Sequence, residues 1–445
     1  MRILLGLDRA DAGSATIYGQ TYRNLNHPMY TVGFTMDGSA AGKGHSARNH
    51  LKWVSMAAGF PMSRVDEVLA LTGLESAADK RVGEFSLGMG QRLGLATALL
   101  GDPSVLVLDE PMNGLDPEGI RWMREFMRRQ ALRGVAILVS SHFMGEVEEI
   151  ADDAVVIAHG RVVAQGTAGR GAWPVPYSRR GILRSDRGRE DARMIRLLRS
   201  ECSKLFTARS TWIIAGAMLI GTWGMSYLNA HEAVGVSTDD PRLYSNIPIP
   251  AEYNDFDMAG WGYVFAISLG AIWAASEYGR SAQIRTTLAA TPRRLRVFAA
   301  KALLCVATVA LLAFLSMSGG VMVTHYLAHD GIDPLGLNPA VWGHLFALAY
   351  SWAMVALLSF AFGVLTRSAI PSLAVLLPLV IGVGDFLAGL TPAFKYLPTV
   401  AAESMYTYAK SGSFLTPLLG GIIVGIWGLA PMLVAGIVFV RRDGA

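Results

Sequence analysis

Two adjacent acids close a short apolar run: "SVLVLDEP" at 104–111 sets Asp109 and Glu110 directly after Val105–Leu108. A run of that kind suits a strand buried on both faces of a parallel sheet. The C-terminal end of such a strand is where open α/β sheets hold their ligands. One carboxylate there can hold Mg²⁺, directly or through water, and its neighbour can orient and polarise an attacking water. A second apolar run, "VAILVSSHFM" at 135–144, ends in Ser140, Ser141 and His142. A histidine at a strand end can hydrogen-bond a terminal phosphate. Upstream, "EFSLGMGQRLGLATALL" at 84–100 runs a glycine-rich turn (Ser86, Leu87, Gly88, Met89, Gly90, Gln91) into an apolar helix. Such a turn offers unpaired N–H groups and the positive end of a helix dipole to an anion. Glycine at 88 and 90 lets the main chain approach a phosphate without a Cβ in the way.

The elements that must position these groups are legible around them. "SRVDEVLALTGLES" at 63–76 places Val65, Val68, Leu69 and Leu71 at helical spacing and predicts an amphipathic helix ending near Gly73. "NGLD" turns the chain after the two acids and leaves Asp116 available to a second interface.

Taken in order, these motifs resemble the ATPase domains of ABC transporters. "FSLGMGQR" is similar to their signature loop, with Met before the second Gly; "VLVLDEP" to their Walker B strand; "NGLD" to their D-loop; and "SSH" to their switch histidine. The resemblance implies that Asp109 serves Mg²⁺, Glu110 the hydrolytic water and His142 the γ-phosphate of ATP. It implies that Ser86, Gly88 and Gln91 face the nucleotide of an opposite subunit. "VGFTMDG" occupies the place of the Q-loop, with Asp37 standing where the family has glutamine.

One departure matters. A phosphate-binding P-loop needs Gly, four residues, then Gly-Lys-Ser/Thr, because the Lys reaches the phosphates and the hydroxyl reaches Mg²⁺. The Gly-Lys pair in "DGSAAGKGHS" puts Asp37 at the first glycine position and Gly44 where the hydroxyl belongs, so it reads as a surface loop. In the family, the helix that starts inside the P-loop continues into an apolar tail, a turn and a strand. "MRILLGL", "DRADAG" and "SATIYG" reproduce that order. The expectation is an internal methionine read as a start, with a fusion or frameshift junction or an evolved absence as the alternatives.

"GTAGRGAWPVPYSRRGILRSDRGREDAR" at 166–193 is arginine-rich, contains two prolines and has no periodicity. It reads as a linker. From Met194, Ile195, Leu198, Cys202, Leu205 and Phe206 share one helical face, with Arg196, Arg199, Glu201 and Lys204 on the other. That predicts an interfacial helix, with an ordinary amphipathic packing helix as the alternative. Apolar spans follow near 211–229, 259–276, 299–323, 341–365, 369–390 and 415–440, each long enough to cross about 30 Å of hydrocarbon. Pro431 and Gly319-Gly320 predict kinks in two of them. Asp385 stands well inside an apolar stretch and is a candidate for substrate contact.

Charge gives an orientation. Lys204, Arg209, the loop from Arg280 to Lys301, Arg367 and Arg441-Arg442 fall on one side of a six-span count, while "HEAVGVSTDDP", "EYNDFD" and "HDGIDP" fall on the other. The positive-inside rule puts both termini in the cytoplasm, the side that holds ATP. The long basic loop "EYGRSAQIRTTLAATPRRLRVFAAK" at 277–301 resembles the stretch after the second span of ABC-2-type permeases, where an ATPase would dock.

Bulk composition agrees with this division. The 445 residues are 52% hydrophobic and 17% charged, and the mean hydropathy is +0.36. The net charge of +4 sits in the linker and in loops beside apolar spans, which argues for a membrane and against nucleic acid. Two cysteines, Cys202 and Cys305, make neither a disulfide framework nor a metal spacing. The fold expected is an α/β, P-loop-NTPase-like ABC ATPase domain over 1–166, truncated at its N-terminus. A linker over 167–193 and an all-α, six-helix transmembrane domain of ABC-2 type over 194–445 follow. The function implied is a half-transporter of the cytoplasmic membrane, driving export of a small molecule, drug or peptide with ATP and Mg²⁺. It would pair with a second copy or with an ABC subunit that supplies the P-loop. The alternative is a non-hydrolysing regulatory or immunity subunit, and a channel fails to explain the motifs of 84–144.

Overall fold

The computed structural model describes residues 1–36, 41–142, 150–159, 161–167, 190–233, 255–256, 259–278, 283–328, 336, 339–407 and 415–442. It divides into two compact units. The first comprises Met1–Thr207 with Arg280–Val297; the second comprises Ala208–Gly279 with Phe298–Arg442.

In the first unit, β1 (Val32–Thr35), β2 (Val105–Asp109) and β3 (Ala136–Ser140) form a parallel sheet in that order. All four residues of β1 and the central three of β2 are buried, as parallel strands require. Leu106 and Leu108 join a core with residues of α1 (Ala47–Ala58), α2 (Ser63–Leu71) and α3 (Leu87–Leu99), among them Leu51, Trp53, Val68 and Leu95. α4 (Pro117–Leu132) carries the chain from β2 to β3 and adds Met123, Phe126 and Met127 to that core. Gly59 and Gly73 adopt left-handed φ and stop α1 and the turn after α2. β4 (Asp153–Ala158) and β5 (Arg161–Thr167) form a separate antiparallel hairpin.

Residues 1–7 form a hydrogen-bonded turn rather than a helix: Leu5 N–H donates to Met1 O at 3.2 Å, and Gly6 turns left-handed at φ +65°. That is how a helix closes, so the apolar residues read from the sequence as a helix tail take a helix-end geometry. Leu5 and Leu7 are buried.

α5 (Glu190–Thr207) packs along α1. Here the structure corrects the face expected of it. Leu197, Ser200, Glu201, Lys204 and Leu205 are buried, whereas Ile195 and Phe206 are exposed. The polar side is buried because its groups find partners there: Ser200 Oγ donates to Trp53 O at 2.8 Å, and Lys204 Nζ donates to Glu201 Oε1 at 2.9 Å. The linker expected over 167–193 lies almost wholly outside the described residues.

The second unit contains α6 (Arg209–Ala233), α7 (Ala259–Ser276), α9 (Arg294–Ala328, from Phe298 onward), α10 (Pro339–Thr366), α11 (Ile370–Pro378), α12 (Gly384–Leu390), α13 (Pro398–Glu403) and α14 (Pro417–Arg441). α8 (Gln283–Ala290), from the loop between α7 and α9, belongs to the first unit. Among the described residues, six segments are long and apolar enough to cross a membrane, the fifth made of α11 and α12 together. α10 is the most enclosed. It meets α7 along a seam of glycines: a Cβ on Gly262 would stand 1.6 Å from the Trp352 ring, and one on Gly270 would stand 2.3 Å from Ala356 O. Small residues let helix backbones approach in this way within membranes. Ser359 Oγ donates across the same seam to Ile267 O at 2.8 Å. α14 runs through Pro431 and α9 through Gly319-Gly320 without a break in the helix. The interruption falls in the fifth span, at Gly382 with φ +121°.

Candidate functional site

Parallel pairing sets Asp109 of β2 opposite Ser140 of β3. That register brings the two motifs together at the C-terminal end of the sheet. Ser140 Oγ donates to Asp109 Oδ1 at 2.5 Å and accepts the Glu110 N–H at 3.0 Å. Glu110 leaves the strand at φ +47°, a left-handed conformation unusual for a residue with a side chain. Strained backbone of this kind persists where surrounding contacts fix it, and the bond to Ser140 is such a contact. The turn carries the Glu110 carboxylate to His142, whose Nδ1 lies 2.8 Å from Glu110 Oε2. Both side chains are solvent-accessible, so the pair is poised for exchange with a ligand and contributes little to stability.

The second cluster lies at the start of α3. Ser86 caps this helix, its Oγ accepting the Met89 N–H at 3.2 Å. Asp116 caps α4 in the same manner, its Oδ1 accepting the Gly119 N–H at 2.9 Å. The two turns touch: a Cβ on Gly88 would stand 3.5 Å from Leu115, and one on Gly114 would stand 2.1 Å from Leu87. Gly114 has φ +71°, so glycine is needed there both for conformation and for space. Ser86 and Leu87 are exposed, while Gln91 is only 6% exposed. Gln91 is therefore the one member of this set whose side chain packs inside the chain. Asp37 lies outside the described residues.

Beside Asp109 stand two kinds of oxygen, its own carboxylate and the Ser140 hydroxyl, with the Glu110 carboxylate following on the next residue. Mg²⁺ takes oxygen ligands and is often held by one or two carboxylates together with substrate phosphates, so the group fits that ion. Among the described residues there is no cluster of three His, Cys, Asp or Glu side chains suited to a metal.

Comparison with known proteins agrees with the geometry. Residues 1–113 match the family model described as ABC transporter. The front of this chain is an α/β domain similar to the ATPase domains of ABC transporters. It is 37% identical over 168 residues to the bacitracin transport ATP-binding protein BcrA of Bacillus licheniformis, covering 37% of this chain and 55% of that protein. It is 38% identical over 171 residues to the Nod factor export ATP-binding protein I of Burkholderia lata, covering 37% and 56%. The chain thus spans about half the length of the curated relatives it matches. A solved structure of the ATP-binding subunit of an ABC transporter is 27% identical, with a TM-score of 0.34 over 37% of this chain and 71% of that one. Among the described residues that follow the α/β domain, six helices are long and apolar enough to cross a membrane.

α8 belongs to the ATPase-domain unit by its contacts. Ile284, Thr287 and Ala289 are buried. Lys204 Nζ donates to Thr287 Oγ1 at 2.7 Å and lies 4.1 Å from the centre of the Trp53 ring. Tyr22 OH donates to Ala289 O at 3.0 Å. Arg294, just beyond α8, donates to Leu7 O at 3.0 Å. The sequence points to 277–301 by its length and charge; the loop's Arg294 supplies one charged donor, while Thr287 and the Ala289 carbonyl take part as uncharged groups that no charge count would single out.

Proposed function

We propose that this chain is an ABC-type half-transporter of the cytoplasmic membrane that uses ATP to export a small molecule, drug or peptide. The observation that carries the reading is α8: a short helix from the loop between the second and third apolar helices is built into the ATPase domain through Lys204, Tyr22 and Leu7. Movement of that domain on nucleotide binding and hydrolysis would reach the spans through it. The relatives named for bacitracin transport and Nod factor export support an export role for this one.

In this reading, Asp109 holds Mg²⁺, which would neutralise phosphate charge when bound. Glu110 orients the attacking water, and His142 reads the γ-phosphate after leaving its contact with Glu110. Ser86, Gly88 and Asp116, on the two touching turns, face the nucleotide of an opposite ATPase domain, with Gln91 turning outward as the pair closes. These 445 residues contain no Gly-x₄-Gly-Lys-Ser/Thr, and the partner across the nucleotide is a second copy or a paired ABC subunit. Both termini lie in the cytoplasm, the basic loops holding that orientation.

The test is Mg²⁺-dependent ATPase activity of the chain in lipid, alone and with candidate ABC subunits, beside a Glu110→Gln variant. The expected result is turnover that falls at least 100-fold in the variant. Turnover unaffected by the substitution removes Glu110 from its role. No turnover with any partner favours a non-hydrolysing regulatory subunit.

A further inference from the structure

A hydroxyl and two carboxylates gather at the break in the fifth apolar span. Pro378 supplies no N–H there, Gly382 turns to φ +121°, and the Gly384 N–H reaches back five residues to Leu379 O. A wide turn of this kind inside a helix is frequent at functional sites. It sets Gly384 against α13: a Cβ on Gly384 would stand 3.1 Å from Thr399 Oγ1. Thr399 is 8% exposed, and its Oγ1 has no hydrogen-bond partner among the described residues. A buried hydroxyl in that state costs free energy and calls for a reason. Asp385 follows Gly384, and Glu403 lies one helical turn beyond Thr399 on the same face of α13. The two acids act on each other: burial first, and then Asp385, raise the Glu403 pKa to about 7. No cation among the described residues pairs with either carboxylate. Lys395, on the chain between them, lies 5.3 Å from the centre of the Tyr396 ring instead. Tyr406 is also engaged elsewhere. Its hydroxyl meets Tyr263 OH at 3.3 Å, and Tyr263 gives its own proton to Ser351 Oγ at 2.8 Å, so Tyr406 donates to Tyr263.

We propose that Asp385, Thr399 and Glu403 form a binding site for a primary ammonium group carried on an apolar body. A primary ammonium brings three N–H donors and no acceptor. The site offers it two carboxylates and a hydroxyl whose lone pairs are unused. Two neighbouring carboxylates ionise together far more readily with a cation between them, and charge-assisted hydrogen bonds to both are of the strong kind. A calcium ion takes six to eight oxygens, whereas among the described residues no third acid, His or Cys joins these two. The site also opens onto an apolar surface. Asp385 is exposed, and so are Phe386 and Leu390 of α12 and Ile381 before the break. The apolar body lies along that surface while the ammonium points toward Thr399. On the orientation proposed above, this is the outer end of the fifth span, where an exported molecule leaves. The inference rests on the export reading and narrows the cargo to amphipathic amines.

The test uses the full chain in detergent at pH 8, with benzylammonium as the probe and no nucleotide. Binding is read by equilibrium dialysis and by the melting temperature, followed through tryptophan fluorescence. The expected result is saturable binding of one benzylammonium per chain and a melting temperature that rises with its concentration. Benzyl alcohol, the neutral analogue, should do neither, and sodium or calcium chloride at equal ionic strength should not compete. Asp385→Asn and Glu403→Gln should each weaken binding by about 10-fold or more, and Thr399→Val by roughly 5-fold. The melting temperature of each variant without probe shows that it is folded. Unchanged affinity in the two carboxylate variants overturns the proposal, as does equal binding of benzyl alcohol or no binding at all. Saturable competition by sodium or calcium makes the site an inorganic one and also overturns it. Displacement by phosphatidylethanolamine makes the ligand a lipid headgroup and removes the cargo assignment. Glu110→Gln abolishes hydrolysis in the proposed function but leaves benzylammonium binding unchanged, so a failure of the ATPase reading and a failure of this site are told apart.

Discussion

Lys204 Nζ stands 2.7 Å from Thr287 Oγ1, inside a unit where both residues are buried. The same ammonium group bonds Glu201, itself fully buried, and lies over the Trp53 ring. One cation thus ties α5, α1 and α8 together. Removing one partner of a buried charge pair costs about 3–5 kcal/mol, so Lys204→Met should unfold the first unit or lower its melting temperature severely. Thr287→Val removes a single hydrogen bond worth roughly 1 kcal/mol and should leave the fold intact. Its expected effect is transport reduced relative to ATP turnover, measured together in proteoliposomes; equal losses in both would show that the bond is only structural.

Ser140 bridges the two acids, donating to one and accepting the main chain of the other. Groups that orient a metal ligand from behind typically matter 10–100-fold. Ser140→Ala should raise the Mg²⁺ concentration for half-maximal ATPase activity by about that factor. Ser140→Thr, which keeps the hydroxyl, should restore it. Loss of turnover with unchanged Mg²⁺ dependence would count against the positioning role.

His50 is buried in α1, and burial first, then the nearby His45 and Lys204 charges, lower its pKa from 6.5 to about 3. Its Nε2 faces Thr97 Oγ1 at 3.1 Å. The Thr97 hydroxyl already donates to Leu93 O, so His50 is the donor and is neutral. Below pH 6.5 the unfolded chain takes up a proton that the folded chain refuses. Stability should therefore fall on acidification, by about 1.4 kcal/mol per pH unit between 6 and 3. His50→Phe should flatten that decline; Trp53 fluorescence across an acid titration reads it.

Glu403, at the end of α13, has the opposite sign. Burial chiefly, with Asp385 adding to it, raises its pKa from 4.5 to about 7. Below pH 4.5 it is protonated in both folded and unfolded chains, and no penalty exists. As the pH climbs to 7 the unfolded chain releases the proton first, and stability is lost, by roughly 3 kcal/mol above pH 7. Glu403→Gln should raise the melting temperature in detergent at pH 8 and leave it unchanged at pH 4.

Asp109, Glu110 and His142 were legible in the sequence because each motif fixes its own place: a strand end followed by a polar residue, twice, in neighbouring parallel strands. The six apolar runs were legible for an equally simple reason, the thickness of hydrocarbon. What stayed hidden depended on partners distant in the chain. The buried side of α5 carries Glu201 and Lys204, which composition assigns to solvent; Thr287 and Trp53 reverse that assignment, and they lie 83 residues after Lys204 and 151 before it. Nothing in the sequence pairs Ser140 with Asp109; the parallel register does. Ser86 and Asp116 were readable as ligand groups but not as helix caps, since capping depends on where each helix begins.

The glycine seam between α7 and α10 closes one side of α10. With no room for even a methyl group at Gly262 or Gly270, these two helices form a closed wall. Under the proposed export function, a solute would pass along another side of α10, since parting α7 from α10 would break Ser359 from Ile267 and expose main chain to lipid.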